Sequence, residues 1–280
     1  MSHSRPFAQV DVFSSIPYRG NPVAVVLDGQ GLSDADMHAV ARWTNLSETT
    51  FLLPPTHPDA DYLLRIFTPG GELPFAGHPT LGSAHAWISH GGHPHDPQCL
   101  IQECGAGLVA VRHTKGTFAF AAPPTVRDGA LEPSYLDDIA RAFGIDRAQI
   151  LAHQWVDNGP GWAVVQLATA QEVLDLEPDL TKIPAAMIGV FGAHPAGSDY
   201  DFEMRTFAPG VGVTEDPVCG SINASAGQWL FRTGQVNTSY RVSQGAKLGR
   251  SGDITVSADE DGTVWIAGAT TTLFHGTATI

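Results

Sequence analysis

The chain has few cysteines, little positive charge and no long apolar run, and each shortage removes a class of protein. Three cysteines, Cys99, Cys104 and Cys219, stand at unpatterned spacing in 280 residues. An odd, unpatterned set does not make a disulfide framework and fits a reducing compartment better. Nothing in the sequence requires a Cys99–Cys104 bridge. Fifteen Lys and Arg against 29 Asp and Glu give a net charge of −14. That balance argues against nucleic acid and anionic membranes as partners, because both need basic surface. It leaves room for a small anionic ligand, which backbone donors can hold inside an acidic protein. No stretch reaches the roughly 18 apolar residues of a membrane span. The N-terminal MSHSRPFAQV lacks the apolar core of a signal peptide. The expectation is a soluble cytoplasmic protein.

Several catalytic signatures are missing as well. There is no GxGxxG following a strand and no Walker loop, so no nucleotide cofactor is expected. There is no GxSxG nucleophile elbow. His90, His93 and His95 in SHGGHPHDP resemble a metal tract, but they lie in a Gly/Pro-rich loop without a carboxylate or cysteine frame. No metal is expected there.

What the chain does have is an internal repeat. RIFTPGGELPFAGHPTLGSAHAW at residues 65–87 returns as RTFAPGVGVTEDPVCGSINASAGQW at residues 205–229. Arg65, Phe67, Pro69 and Gly70 match Arg205, Phe207, Pro209 and Gly210 at an offset of 140. After a three-residue insertion Gly77 matches Gly220. Each copy reads as a strand, a Gly/Pro-rich turn and a helix start. The helical stretches TLGSAHAWI and INASAGQWLF are small or apolar on nearly every side, the mark of a helix buried all round. Strands must then wrap each helix. The reading is an α+β chain of two pseudo-symmetric domains, each a barrel-like, mostly antiparallel sheet around a central helix. The boundaries expected are 1–122 and 123–269, with the tail at about 270–280 crossing back to the first half and the active site in the cleft between the halves.

In the first half, strands are expected over 7–13, 23–27, 49–53, 62–67, 100–103, 108–113 and 117–121. A helix from Asp34 to Thr44 is capped by Ser33, with Asp36 placed for a capping box, and a second helix starts at Pro79. In the second half, strands are expected over 150–156, 162–167, 188–191, 200–207, 240–243, 253–257 and 263–269, with helices over 170–176 and 222–231. Arg127–Gly144, with a helix over 135–143, reads as the bridge between halves.

Gly77 with His78, and Gly220 with Ser221, sit at helix N-termini, where free N–H groups point outward and glycine admits a ligand close to the backbone. They can bind a carboxylate or stabilise an enolate; equally, the glycines can simply make tight strand–helix turns. His78 is a capping or core histidine, or a proton-handling group. Its repeat counterpart, Ser221, is too weak a base to replace it, so the two halves differ where a proton is handled. Glu48 in LSETTF lies among Leu46, Phe51 and Leu52. Desolvation there raises a carboxyl toward the range of a useful general base, whereas a surface Glu at a helix–strand junction only caps. Asp216 steadies the turn before the second helix, or orients substrate. Cys219 at a helix N-terminus is a proton-transferring thiol or a small packing residue. Its repeat counterpart is Ala76, so a symmetric two-thiol racemase is not supported.

Taken together, GNPVAVV, LSETTF, RIFTPGGELPFAGHPTLG and EDPVCGSINASAG resemble the PhzF family of phenazine-biosynthesis-like isomerases, from the first strand to QGAKLGR near Gly249. The resemblance implies a diaminopimelate-epimerase-like fold, a homodimer and no cofactor. In the best-studied members, it implies isomerisation of trans-2,3-dihydro-3-hydroxyanthranilate by moving a proton along a conjugated ring. The family's acid/base glutamate falls on Glu48, its site histidine on His78, its site aspartate on Asp216, and its substrate-holding backbone on Gly77, Gly220 and Ser221. Two departures stand out. Cys219 replaces a threonine, and Ile222-Asn223-Ala224-Ser225 replaces a compact Ala-Ala-Gly-Pro run. The substrate therefore does not transfer with the fold. The resulting expectation is a cofactor-independent isomerase or epimerase of a small anionic carboxylic acid. A non-catalytic metabolite-binding protein and a one-cysteine amino-acid epimerase are the alternatives.

Overall fold

The computed structural model describes residues 3–114 and 116–280. The chain forms two compact units, one of Met1–Ala121 with Trp265–Ile280 and one of Ala122–Val264.

The first unit contains strands β1 (Ser4–Val12), β2 (Asn21–Val26), β3 (Glu48–Leu53), β4 (Tyr62–Thr68), β5 (Gly71–Leu73), β6 (Cys99–Cys104), β7 (Gly107–Thr114) and β8 (Thr117–Ala121). Its helices are α1 (Asp34–Thr44) and α2 (Gly77–Ser89). The strand order is β1-β2-β3-β4-β6-β7-β8, and the final strand β16 (Val264–Thr279) lies between β8 and β1 and closes a barrel of eight strands. β16 is long enough to do both jobs. Its first residues pair with β8, from Trp265 opposite Ala121 to Ala269 opposite Thr117. Its later residues pair with β1, from Thr270 opposite Val12 to Thr279 opposite Ser4, with a bulge at Gln9/Val10 that absorbs the change of direction.

Two neighbours in this barrel are parallel, β2 with β3 and β4 with β6, and each such pair needs a crossover. Helix α1 makes the first. Ser33 caps it, and Asp36 returns a hydrogen bond to the Ser33 N–H at 3.0 Å, so the capping box is complete. Met37 and Ala41 face inward and pack with Val26, Phe51 and Phe67. Helix α2 makes the second crossover and packs against β1, β2, β3, β4, β6 and β8. Nine of its residues from Gly77 to Ala86 are buried. Gly82 is required by this packing, since a Cβ there would sit 2.4 Å from Val23 Cγ1 and 3.0 Å from Val12 Cγ2.

The second unit contains α3 (Pro133–Phe143), β9 (Ala152–Trp155), β10 (Ala163–Thr169), α4 (Ala170–Asp175), β11 (Ile188–Ala193), β12 (Phe202–Ala208), β13 (Val213–Asp216), α5 (Gly220–Arg232), β14 (Tyr240–Gln244) and β15 (Gly252–Ala258). Its sheet runs β9-β10-β11-β12-β14-β15. The parallel pairs β10–β11 and β12–β14 again follow crossovers by α4 and α5. Helix α5 is buried at ten positions from Gly220 to Leu230, and Gly227 lets Val256 come within 2.8 Å of where a Cβ would be.

The repeat is visible at atomic detail. Arg65 forks onto Glu72 at 2.7 and 2.6 Å, and Arg205 forks onto Glu215 at 2.9 Å through both nitrogens. Each fork ties the last long strand before the central helix to the short strand that follows it. Those short strands, β5 and β13, lie within what the sequence presents as Gly/Pro-rich turns. Their glycines mask ladders only a few residues long.

Three further expectations are corrected. Helix α2 starts at Gly77 and not at Pro79; as its third residue, Pro79 still falls among the first-turn positions whose N–H has no intrahelical partner. Arg127–Gly144 is not a bridge. Leu131, Leu136, Ile139, Ala142 and Phe143 belong to the core of the second unit, beside Val165, Ile188 and Phe207. The strand expected over 263–269 does not stop there but runs on to Thr279, and its later residues pair with β1.

Candidate active site

In the first unit, three residues far apart in sequence meet. Asn21 opens β2, Glu48 opens β3, and His78 is the second residue of α2. The parallel register sets Glu48 opposite Val23, two residues from Asn21, and α2 packs on both strands. Glu48 Oε2 lies 3.2 Å from His78 Nε2, with the side chains 12% and 4% exposed. Asn21 Nδ2 lies 3.2 Å from His78 Nδ1. Burial drives the pKa of His78 down to about 3, against the opposing pull of a hydrogen bond to the Pro22 carbonyl. The imidazole is therefore neutral at physiological pH. The Glu48–His78 contact is a polar contact at proton-transfer distance, not an ion pair.

Gly77 begins α2 beside them, after Ala76, whose side chain offers no cap. The cap position of α5 is Cys219, which likewise makes no side-chain cap hydrogen bond. Both central helices thus place an apolar or weakly polar side chain where Ser, Thr, Asp or Asn ordinarily satisfies the first-turn N–H groups.

In the second unit Asp216 ends β13, and its Oδ1 accepts from Val218 N at 3.1 Å, which fixes the turn into α5. Gln244 organises that turn. Its Oε1 accepts from Cys219 N at 3.2 Å and Asn223 Nδ2 at 3.1 Å, while its Nε2 donates to the Asp216 carbonyl at 3.1 Å and to Thr206 Oγ1 at 3.2 Å. Ser221, at the helix position equivalent to His78, is held firmly. Its hydroxyl donates to Asn158 Oδ1 at 3.0 Å and accepts from Trp162 Nε1 at 3.1 Å, and its carbonyl accepts from Asn158 Nδ2 at 3.0 Å.

The structure therefore gathers Glu48, Gly77 and His78 in one unit, and Asp216, Cys219, Gly220 and Ser221 in the other. Asn21, Asn158, Trp162 and Gln244 were not among the residues singled out from sequence. Asn21 stands inside GNPVAVV, where it reads as a turn residue. The other three reach the α5 turn from distant strands and loops and carry no local signal. The histidine tract differs from its sequence reading, because His95 Nδ1 meets the Asp61 carboxylate at 2.7 Å. Among the described residues no group of three or more His, Cys, Asp or Glu side chains is placed to hold a metal. A recess of about 760 Å3 in the first unit is lined by Phe7, Val26, Val40, Trp43, Leu46 and Ile280 among others, and neither Glu48 nor His78 lines it.

The fold is shared with a PhzF-family phenazine biosynthesis protein from Bacillus anthracis, at a TM-score of 0.84 and 22% identity over 99% of this chain and 100% of that one. In sequence, the chain is 38% identical to antisense-enhancing sequence 1 of Schizosaccharomyces pombe, over 96% of this chain and 97% of that protein. It is 36% identical to the trans-2,3-dihydro-3-hydroxyanthranilate isomerase of Pseudomonas fluorescens, over 86% of each. Fold and relatives together define an isomerase with an epimerase-like α+β architecture. Residues 10–276 match the model of the phenazine biosynthesis-like proteins, PhzC-PhzF, and the chain belongs to that family.

Proposed function

We propose that the chain moves a proton within a small carboxylic-acid substrate without a cofactor, with Glu48 as general acid/base. The observation that carries this reading is the buried Glu48–His78 contact at 3.2 Å beside the start of α2. A carboxylate held there can take a proton from carbon and return it to another carbon of the same molecule. The neutral imidazole of His78 polarises the substrate as negative charge develops. The backbone N–H groups of Gly77, and of Gly220 and Ser221 in the second unit, are assigned to the carboxylate or to the dienolate. Asp216 is assigned a substrate-orienting role. The substrate to try first is trans-2,3-dihydro-3-hydroxyanthranilate, on which the Pseudomonas fluorescens relative acts by name. The working unit is proposed to be a homodimer, which light scattering at micromolar concentration checks.

The test incubates the protein and its Glu48→Gln variant with that acid and with pools of other small carboxylic acids in D2O, and follows conversion and deuterium uptake by NMR. Conversion that needs Glu48 supports the reading. Equal conversion by both proteins sinks it. Tight binding without conversion or exchange points instead to a metabolite-binding protein.

A further inference from the structure

The role of His78 depends on which ring nitrogen carries its single proton, and the residues behind the ring bear on that choice. An amide nitrogen donates and cannot accept. Asn21 Nδ2 faces His78 Nδ1 at 3.2 Å, with Asn21 wholly buried and His78 nearly so. If that amide nitrogen is the donor, Nδ1 keeps its lone pair and the ring proton sits on Nε2, the nitrogen 3.2 Å from Glu48 Oε2.

Asn21 is itself held rigidly. Asp11, buried in β1, accepts from Arg19 N at 3.1 Å and from Gly20 N at 3.2 Å. Gly20 fits against the β1 backbone so tightly that a Cβ would fall 2.1 Å from the Val12 carbonyl oxygen. The next residue is Asn21, already in the β2 ladder opposite Val12. The amide thus approaches His78 from a backbone with no slack.

We propose that Asn21 is a positioning residue that locks His78 in the Nε2–H tautomer, so that His78 can donate toward Glu48 or substrate but cannot take a proton from Glu48. The inference rests on the assignment of Glu48 as acid/base. Its chemical consequence is retention. After Glu48 removes a proton from carbon it is a neutral acid, and the neighbouring Nε2 already bears hydrogen. With no acceptor lone pair on that nitrogen, the proton stays on Glu48 and returns to the same substrate molecule. In the opposite tautomer the Nε2 lone pair would accept a hydrogen bond from that acid and compete with the substrate carbon for its proton.

The tautomer is read directly by long-range 1H–15N correlation of the histidine rings in the intact protein, with His78 assigned by comparison with His78→Gln. Wild type is expected to show a neutral ring protonated at Nε2. Asn21→Asp puts an acceptor at the same place and is expected to move the proton to Nδ1. In the same variant, kcat on trans-2,3-dihydro-3-hydroxyanthranilate falls about 10²-fold with KM little changed, and deuterium uptake per turnover in D2O rises. A wild-type ring protonated at Nδ1, with that hydrogen given to the Pro22 carbonyl, overturns the proposal, as does an unchanged tautomer in Asn21→Asp. If Asn21→Asp does not fold, the wild-type spectrum still decides. The spectrum needs no substrate, so this outcome is separable from the activity of Glu48→Gln, which tests the acid/base assignment itself.

Discussion

Glu48 and His78 approach to 3.2 Å, yet burial keeps the histidine uncharged, so the contact joins a carboxyl to a neutral imidazole. An uncharged imidazole meets the carboxyl as a dipole and not as a cation.

Replacing Glu48 by Gln keeps size and removes the proton acceptor. Turnover is expected to fall by about 10²–10⁴-fold, while ligand-induced thermal shifts persist. Loss of the shift together with turnover would assign Glu48 to binding alone.

Acid stability should report His78. Its folded pKa, near 3, lies below the unfolded value of about 6.5. Between these values the unfolded chain binds the extra proton. The stabilising contribution is complete above about pH 6.5 and is lost as pH falls toward 3, by about 1.4 kcal/mol per pH unit at most. Denaturant titrations from pH 7 to pH 4 should show that loss in wild type, and a smaller slope in His78→Gln.

Gly82→Ala drives a methyl group into Val23 and Val12 at the heart of the first unit. Overpacking of this kind costs about 1–3 kcal/mol. The denaturation midpoint should drop with an unchanged m-value.

The two arginine forks should differ in worth. Arg205 is buried, and its guanidinium also donates to the carbonyls of Val173 and Leu176 at 3.2 and 2.7 Å. Arg205→Met leaves Glu215 without its cation in a buried site and should cost about 3–5 kcal/mol. Arg65 is more exposed, so Arg65→Met should cost about 1 kcal/mol. Chemical denaturation of both variants side by side checks the ranking.

Cys219→Ser separates the glutamate mechanism from a thiol epimerase. If Glu48 carries the proton, the variant retains most of its turnover and wild type resists iodoacetamide. Abolished turnover in a folded Cys219→Ser protein would restore the thiol reading.

Much of this was legible in the chain, for identifiable reasons. Ser33 and Asp36 mark the start of α1, because a capping box is a local event of four residues. The paired motifs place both central helices, because a helix buried all round must be small and apolar all round. Local signals also place Glu48 and His78 on a strand start and a helix start. What the motifs do not carry is the second layer. Asn21 against His78, Gln244 against the α5 turn, and Asn158 with Trp162 around Ser221 are contacts across 57, 25, 63 and 59 positions of sequence. Only the closure of the sheets brings them together. The core role of Arg127–Gly144 was hidden for a related reason: its charged, proline-containing start reads as a linker, while the apolar face of α3 is covered by strands that come later.

The strand that completes the barrel has a consequence for biosynthesis. Residues 122–264 form a contiguous stretch, whereas the first unit needs β16 from beyond them. On the ribosome, the first unit therefore cannot close until β16 has emerged. Until β16 emerges, β1 and β8 each present an open edge, the kind of surface that recruits foreign strands. A chain stopped near Val264 would lack the closing strand, leaving a sticky, half-built barrel for the cell's chaperones and proteases to find.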